Sequence, residues 1–560
     1  MSSAPTRTSS GACSGAASPS DLMPLPSPLP LALRLFLVLA FLTGVCPPAE
    51  SQTPKKGGVL QTVLIEDPPG LLAHESATVS NVWPMSPCYS NLVLFHPLKM
   101  LESADTVIPE LAERWSWQDN YRNLVFFLRK NAKWHDGNPL TSRDVKYTFD
   151  VAREAPEAPT KFRLSPRKDW WVNVEAIEAP EPHTVVFRLK RPQPSLLLML
   201  ASGYSPIYPA HVPLGDLRQK CLGTGPFRFK EWQRGQSVEL ERNPDYFIPE
   251  RPYLDGIRYI VITERGTRLA ALQAGRLDAF VPLEMTRAMA EAAKKSAPAL
   301  VITEVGQNGS DNVVINHKRP PFDNPAVRRA VSLAMDRHGY VQSVRHGGAV
   351  VGAGLMPKPL GIWGLSDGDL KTLPGYRNNA TDKAEARRLL AAAGFGPGGK
   401  PLRVELATRT LSIYLDVASF VADQLHQVGI EATVKQMDSA AWFPALARRD
   451  FQIGANLTAG GFDDPDAYFF ENYKCGSSRN YTDYCSEETD RLIDLQSQEL
   501  DRAKRLRLVL DIQKRLEADV ARPMLGWRKE YFAHYPHVKN LVPHNALYNY
   551  GRMQDVWLDR

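Results

Sequence analysis

From residue 57 onward the chain alternates two patterns of hydrophobic and polar positions. GVLQTVLIE, VFFLRKN, HTVVFRLKRP, PFRFKEW, SVELERN and GIRYIVI carry β-branched, aromatic or alternating positions, which predict strands, and they dominate the first half. Apolar positions at helical spacing dominate the second half, in NPAVRRAVSLAMDR, in KAEARRLLAAAGF ending at Gly394, and in DVASFVADQLHQVG ending at Gly429. One long amphipathic helix is expected from Glu487 to Val520. Strand-like IEATVKQ follows the third helix, so this part reads as α/β units, while GAGLMPKPLGIWG and GFGPGGKPL are loops by composition. No repeat of solenoid period is visible.

The first fifty residues differ in kind. A Ser/Ala/Gly/Pro-rich opening leads into LPLALRLFLVLAFLTGV, whose uninterrupted core, Leu35 to Val45, is too short to cross a bilayer but suits a secretory signal. Ala49-Glu50-Ser51 places small residues where cleavage before Gln52 needs them. Cys46 invites a lipoprotein reading, but Val45 stands where a small residue should precede a lipidated cysteine. Export to the periplasm is therefore expected.

Composition agrees with a folded, exported protein. The 560 residues, 43% hydrophobic and 23% charged, are enough for two or three domains and too apolar for disorder. Of six cysteines, Cys13 and Cys46 leave with the leader, and an even remainder in an oxidising compartment predicts disulfides. Cys475 and Cys485 bracket a short loop and form the first expected pair, which leaves Cys88 with Cys221. Neither pair has the spacing of a metal site. The net charge of +6 is scattered and interleaved with acids, as in RAKRLRLVLDIQKRLEAD, which argues against nucleic-acid binding.

The candidate chemistry centres on TAGGFDDPDAY, residues 458 to 468. Asp463, Asp464 and Asp466 lack the alternating spacing and turn glycine of a calcium loop. As a catalytic acid pair they have no nucleophile beside them. GLSDG, around Ser366, is formally a GxSxG motif, but the flanking prolines and glycines deny it the strand and helix of a nucleophile elbow. His534, His537 and His544, in HYPHVKNLVPH, are too spread for a compact metal set. In WHDG, Gly137 serves a turn and Asp144, just beyond, begins a helix, so His135 and Asp136 read as architecture. Asn243-Pro244-Asp245 likewise reads as a turn after a strand.

Several segments together resemble the family-5 extracellular solute-binding proteins of ABC importers, the peptide- and nickel-binding group also called periplasmic binding protein cluster C. The longest is VIPELAERWSWQDNYRNLVFFLRKNAKWHDGNPLTSRDVKYTFD, residues 107 to 150. GTGPFRFKEWQRGQSVELERNPDYF, PYLDGIRYIVITERGTRLAALQAGRLDAF, NHKRPPFDNPAVRRAVSLAMDR and the DDPD loop follow in family order. The resemblance covers essentially everything after the leader.

It implies an α/β fold of the type II periplasmic binding protein kind, with two lobes joined by hinge strands and an extra inserted domain. Lobe one would comprise 52–92, 205–305 and 531–560, the inserted domain 93–204, and lobe two 306–530, after an N-terminal extension and signal over 1–51. The hinges would lie near Gly306 to Asp311 and near Tyr531 to Tyr535. The implied function is capture of a peptide-like or other small solute and its delivery to an ABC permease and ATPase in the inner membrane. No catalysis, cofactor, metal or nucleic acid is expected, and a monomer is. A nickel or metal-chelate carrier is the alternative within the family, and a secreted hydrolase using Asp463 and Asp464, or Ser366, the alternative outside it.

In peptide-binding members an aspartate three residues before the second acid of the loop meets the ligand's α-amine. Here that position is Gly461, so Asp463 or Asp464 would have to substitute, or the ligand lacks an amine. Arg409, in VELATRTLSIY, falls where the family places an arginine for a ligand carboxylate, a task suited to its planar fork. Gly460, Asn308, Trp363, Trp442, Asn456 and Tyr481 complete the expected ligand-binding set.

Overall fold

The computed structural model describes residues 53–560 apart from 77, 281–284, 359, 378–379, 397, 547–548 and 550–552. The expected signal, its cleavage site, Cys13 and Cys46 lie outside the described residues.

Strand β1 (Val59–Leu64) is followed by β2 (Ala112–Gln118), β3 (Asn123–Leu128), β4 (Val174–Glu181) and β5 (Thr184–Leu189). Next come β6 (Phe227–Gln233), β7 (Ser237–Arg242), β8 (Gly256–Val261) and the short β9 (Ala279–Phe280). The second half supplies β10 (Val301–Ile315), β11 (Ala349–Val350), β12 (Leu402–Arg409), β13 (Ile430–Met437), β14 (Ile453–Ala459) and β15 (Met524–His534).

They form three main sheets. One has the order β1-β8-β7-β6, a second the order β2-β3-β5-β4, and the largest the order β9-β15-β10-β14-β12-β13 with β11 beside β15. The second sheet is antiparallel throughout and is contained in a single stretch of chain between β1 and β6. In the largest sheet β13, β12 and β14 run parallel, so their carboxyl ends share one edge. Helices Ser412–His426, Pro325–Ala334 and Ala380–Ala392 cover this sheet. Val404, Leu406, Val417, Val421 and Ile430 build the core between them.

β10 and β15 tie the molecule together. The first part of β10, Val301 to Gly306, pairs with the last part of β15, from His534 to Lys529. After a register shift between Gly306 and Ser310, β10 runs on beside both β14 and the start of β15. The end of β15 also pairs with β9, whose neighbour Asp278 accepts the Gln61 N–H of β1 at 2.8 Å.

Local chemistry sets several boundaries. Helix Ser142–Ala152 starts after Thr141, and Asp144 sits in its first turn, where its carboxylate accepts the Thr141 N–H at 2.8 Å and closes a capping box. Asp144 thus caps from inside the helix rather than opening it. The single helix expected over Glu487 to Val520 is two, Glu487–Gln498 and Arg502–Ala518. The break has a cause: Asp501 is extended and its side chain accepts the Lys504 N–H, which starts a new helix. Both expected disulfides are present, Cys88–Cys221 and Cys475–Cys485.

Candidate functional site

The shared carboxyl edge of β13, β12 and β14 is where an α/β sheet places its ligands, because the strands stop and loops open a crevice there. Arg409 is the last residue of β12, Ser439 follows β13 at the start of helix Ser439–Ala447, and Ala459 ends β14. From the opposite half, β1 ends at Leu64 and delivers Ile65 and Glu66 to the same place. A cavity lies between these walls, lined by Arg409, Tyr414, Asn456, Arg479 and Tyr481 on one side and Ile65, Thr78 and Val79 on the other.

A charged bridge crosses the cavity. Arg409 Nη2 donates to Glu66 Oε1 at 2.8 Å, and Ser439 Oγ donates to Glu66 Oε2 at 2.5 Å. Thr78 and Ser80 add hydroxyl donors to Oε1 at 3.3 and 2.8 Å. Arg409 Nη1 donates to the Tyr414 hydroxyl at 3.0 Å, and its guanidinium carbon lies 4.7 Å from the Tyr414 ring centre and 5.1 Å from that of Phe443. Burial works against the cation, but Tyr414 and Glu66 outweigh it and hold Arg409 above its ordinary pKa.

Behind this wall lies a second ionic group. Glu471 pairs with Arg479, and with Arg167 at 3.3 Å. Arg522 donates to Thr458 Oγ1 at 3.1 Å and Asn472 Oδ1 at 2.9 Å. A wider outer cavity adjoins the first, and Thr78 and Phe443 border both. Arg163, Arg218, Arg234 and Glu75 line it on one side, Ser439 and Pro444 on the other.

The structure brings Arg409, Asn456 and Tyr481 of the expected ligand-binding set to the inner cavity. Asn456 stands in the middle of β14 rather than on a loop, and its amide donates to Thr458 Oγ1 at 3.2 Å. The other expected positions line neither cavity. Trp442 is fully buried with Leu446 and Phe451 beneath the sheet. Trp363 is buried and stacks on Arg505 at 5.0 Å. Asn308 is buried in β10, where its carbonyl accepts from the Tyr468 hydroxyl at 2.8 Å and the Gly460 N–H at 3.0 Å.

The DDPD loop is a structural joint. Asp464 takes both arms of Arg505, Oδ2 from Nη1 at 2.8 Å and Oδ1 from Nη2 at 2.6 Å. Asp466 accepts from Ser195 at 2.5 Å and Ser497 at 2.6 Å. Asp463 faces Asp464 and Glu102, and burial first, then those charges, push its carboxyl from 3.8 up to about 7. A Cβ at Gly461 would meet Trp170 and Ser202 at 2.8 Å, and one at Gly460 would meet the Tyr468 ring at 2.5 Å. The Trp170 ring and the Ser202 hydroxyl therefore fill the space at Gly461 where the resemblance would put an amine-binding aspartate.

The rival motifs are also accounted for. Ser366 caps helix Asp367–Thr372, with its hydroxyl 2.6 Å from Asp369. His544 bonds Glu102 at 3.1 Å, His537 bonds Asp278 at 2.8 Å and His534 bonds the Tyr535 carbonyl at 2.9 Å, so the three histidines serve different partners. His135 is half-buried with its ring 3.0 Å from the Gly225 carbonyl, and Asp136 bonds His211 at 2.7 Å. Among the described residues no group of three or more His, Cys, Asp or Glu could hold a metal ion.

Glu66, Tyr414, Ser439 and Arg479 were not foreseen. Glu66 had one available signal, a carboxylate closing the strand-like run GVLQTVLIE. Its partner is 343 residues away in sequence, so only the fold reveals the pair.

Comparison with known proteins points the same way. Residues 106–480 match the model of the bacterial extracellular solute-binding proteins, family 5. The chain is 27% identical over 419 residues to a probable di/tripeptide-binding protein 5 of Pseudomonas aeruginosa, covering 69% of this chain and 75% of that one. It is 29% identical over 465 residues to the oligopeptide-binding protein AppA of Bacillus subtilis, covering 77% and 78%. The structure of AppA from Bacillus subtilis with a nonapeptide superposes with a TM-score of 0.78 at 25% identity, over 91% of this chain and 100% of that one. That of AgaA from A. tumefaciens R10 with agropinic acid gives 0.78 at 23% identity, over 90% and 99%, a likeness of fold.

Proposed function

Because the chain belongs to the bacterial extracellular solute-binding proteins of family 5, we propose that it captures a small solute, peptide-like or otherwise, in the cavity at Arg409 and hands it to a membrane permease powered by an ATPase. The observation that carries this reading is the Glu66–Arg409–Ser439 bridge, whose members come from opposite walls of a cavity at the carboxyl edge of a parallel sheet. Contacts of this kind exist only when the walls are close. A solute that touches both walls adds its binding energy to the closed form alone and so shifts the population toward it.

On this reading β10 and β15 are the hinge strands, bending near Gly306 to Asp311 and near Tyr531 to Tyr535. Residues 93–204 act as an inserted domain and 306–530 as the second lobe. The protein works in the periplasm as a monomer, and the permease recognises the closed shape. The site's groups suit holding a solute: the Ser439 hydroxyl that donates to Glu66 also accepts from Arg409, and on this reading binding rather than turnover is its task.

Native mass spectrometry of protein purified from the periplasm without unfolding tests this. A discrete small-molecule mass bound one to one, lost on stripping and regained on re-addition, is the expected result. Neither a bound mass nor any affinity for the molecules of a periplasmic extract would end the reading.

A further inference from the structure

We propose that the solute is uncharged: an apolar body that fills the inner cavity, with one hydroxyl or amide group that hydrogen-bonds Tyr481 and Asn456. This rests on the solute-binding reading above and names the class of solute.

The charges at the cavity are already matched within the chain. Glu66 receives four donors from three stretches of sequence: Arg409 Nη2 at 2.8 Å, Ser439 Oγ at 2.5 Å, Thr78 Oγ1 at 3.3 Å and Ser80 Oγ at 2.8 Å. The rest of the Arg409 fork is occupied too, Nε by Ser439 at 3.2 Å and Nη1 by the Tyr414 hydroxyl at 3.0 Å. The fork that the resemblance would give to a ligand carboxylate is thus held by a carboxylate of this chain. The second cation on the wall, Arg479, pairs with Glu471, whose side chain is only 1% exposed. A solute carboxylate would have to displace Glu66 or Glu471, and an ammonium would have to take one of them from its arginine. Either exchange strands a buried charge. A neutral solute leaves both pairs intact.

The groups left over are neutral. Ile65, Val79, Leu411, Ile413, Phe443 and Leu457 give the cavity an apolar lining, which favours a solute with an apolar body to remove from water. Two polar side chains on the same wall, Asn456 and Tyr481, are 3% and 6% exposed. The Asn456 amide nitrogen donates to Thr458 Oγ1 at 3.2 Å, but its oxygen has no hydrogen-bond partner among the described residues, and neither has the Tyr481 hydroxyl. Together they offer one acceptor and one group that both donates and accepts, the complement of a hydroxyl or an amide. The exposed Arg163 and Arg234 at the outer cavity stand in water, where salt screens them, and they do not set what the inner cavity takes.

Calorimetry with three matched probes tests the proposal: N-acetyl-leucine amide, which is uncharged; N-acetyl-leucine, an anion; and leucine amide, a cation. Expected is at least about tenfold tighter binding of the uncharged probe than of either charged one. A charged probe bound as tightly as the neutral one would overturn the class and leave solute binding standing. Tyr481→Phe keeps the ring and removes the hydroxyl, and should weaken binding of the uncharged probe by about tenfold; unchanged affinity would overturn the hydrogen-bonding half of the proposal. If no probe binds, the molecule released on denaturing natively purified protein decides: one without charge at pH 7 supports the proposal, and one carrying a carboxylate, phosphoryl or ammonium group overturns it. No probe bound and nothing released would remove the class together with the function it rests on.

Discussion

Glu66 and Arg409 meet at 2.8 Å although 343 residues separate them, with Ser439 donating to the second oxygen of the same carboxylate. A pair that forms only when two walls approach contributes to closing rather than to folding either wall. Replacing Glu66 by Gln removes the charge from this bridge, so the solute-free variant should populate the open form more, by about 1–3 kcal/mol. Small-angle scattering of stripped protein measures this directly. A larger radius of gyration for E66Q is expected, and an identical one would show that the bridge contributes nothing to closure.

Asp464 is held by both arms of Arg505, with side chains only 4% and 12% exposed. Asp464→Ala leaves a buried guanidinium with Asp466, 3.7 Å away, as its remaining acid. The loss should be about 3–5 kcal/mol in urea unfolding. Since Asp464 does not reach either cavity, solute affinity of the folded variant should stay within about twofold. Unchanged stability with abolished binding would return Asp464 to the ligand site.

Asp463 holds its proton up to about 7 in the folded protein, against 3.8 ordinarily. Its folded pKa is raised, so the unfolded chain releases the proton first as pH rises. Stability is fullest below about pH 4 as far as this group is concerned, and falls through the window between those two values. Asp463→Asn removes the loss. The variant should match the natural protein near pH 4 and exceed it at pH 8 by roughly 2–4 kcal/mol, as measured by denaturant titration at both pH values. Equal stability at pH 8 would contradict the raised carboxyl.

The two disulfides close loops of very different length, 133 residues for Cys88–Cys221 and 10 for Cys475–Cys485. In the chain-entropy picture they stabilise by roughly 5 and 3 kcal/mol respectively. Replacing Cys88 and Cys221 by Ser should therefore lower the unfolding midpoint more than replacing Cys475 and Cys485. The reverse order would mean that native-state contacts around the short loop outweigh chain entropy.

Much of the architecture was legible because it is local. Alternation in SVELERN and helical spacing in DVASFVADQLHQVG report which face of each element is buried, and the strand and helix lie where those patterns put them. The missed break at Asp501 shows the limit: a capping aspartate inside an amphipathic run divides a helix without disturbing its periodicity. The site was legible only where one residue's position announced it. Arg409 ends a strand beside a helix, and it lines the cavity. Trp442 offered the same aromatic signal as any binding residue, yet it packs under the sheet against Gly454, a distinction that depends on which face of a helix meets the core. The aspartates of the DDPD loop looked like pocket chemistry because their partners, Arg505 and Ser195, are distant in sequence.

Solute capture by closure is tested most directly by a distance between the two halves. Glu241 lies exposed on β7 in the sheet of β1, and Arg403, 75% exposed, lies on β12. Spin labels on cysteines introduced at these two positions, with the native disulfides intact, report that distance with and without a solute whose binding calorimetry has established. Closure predicts a shorter, narrower distribution in the presence of the solute and a longer, broader one after stripping. The same distribution in both states, at saturating solute, would contradict it.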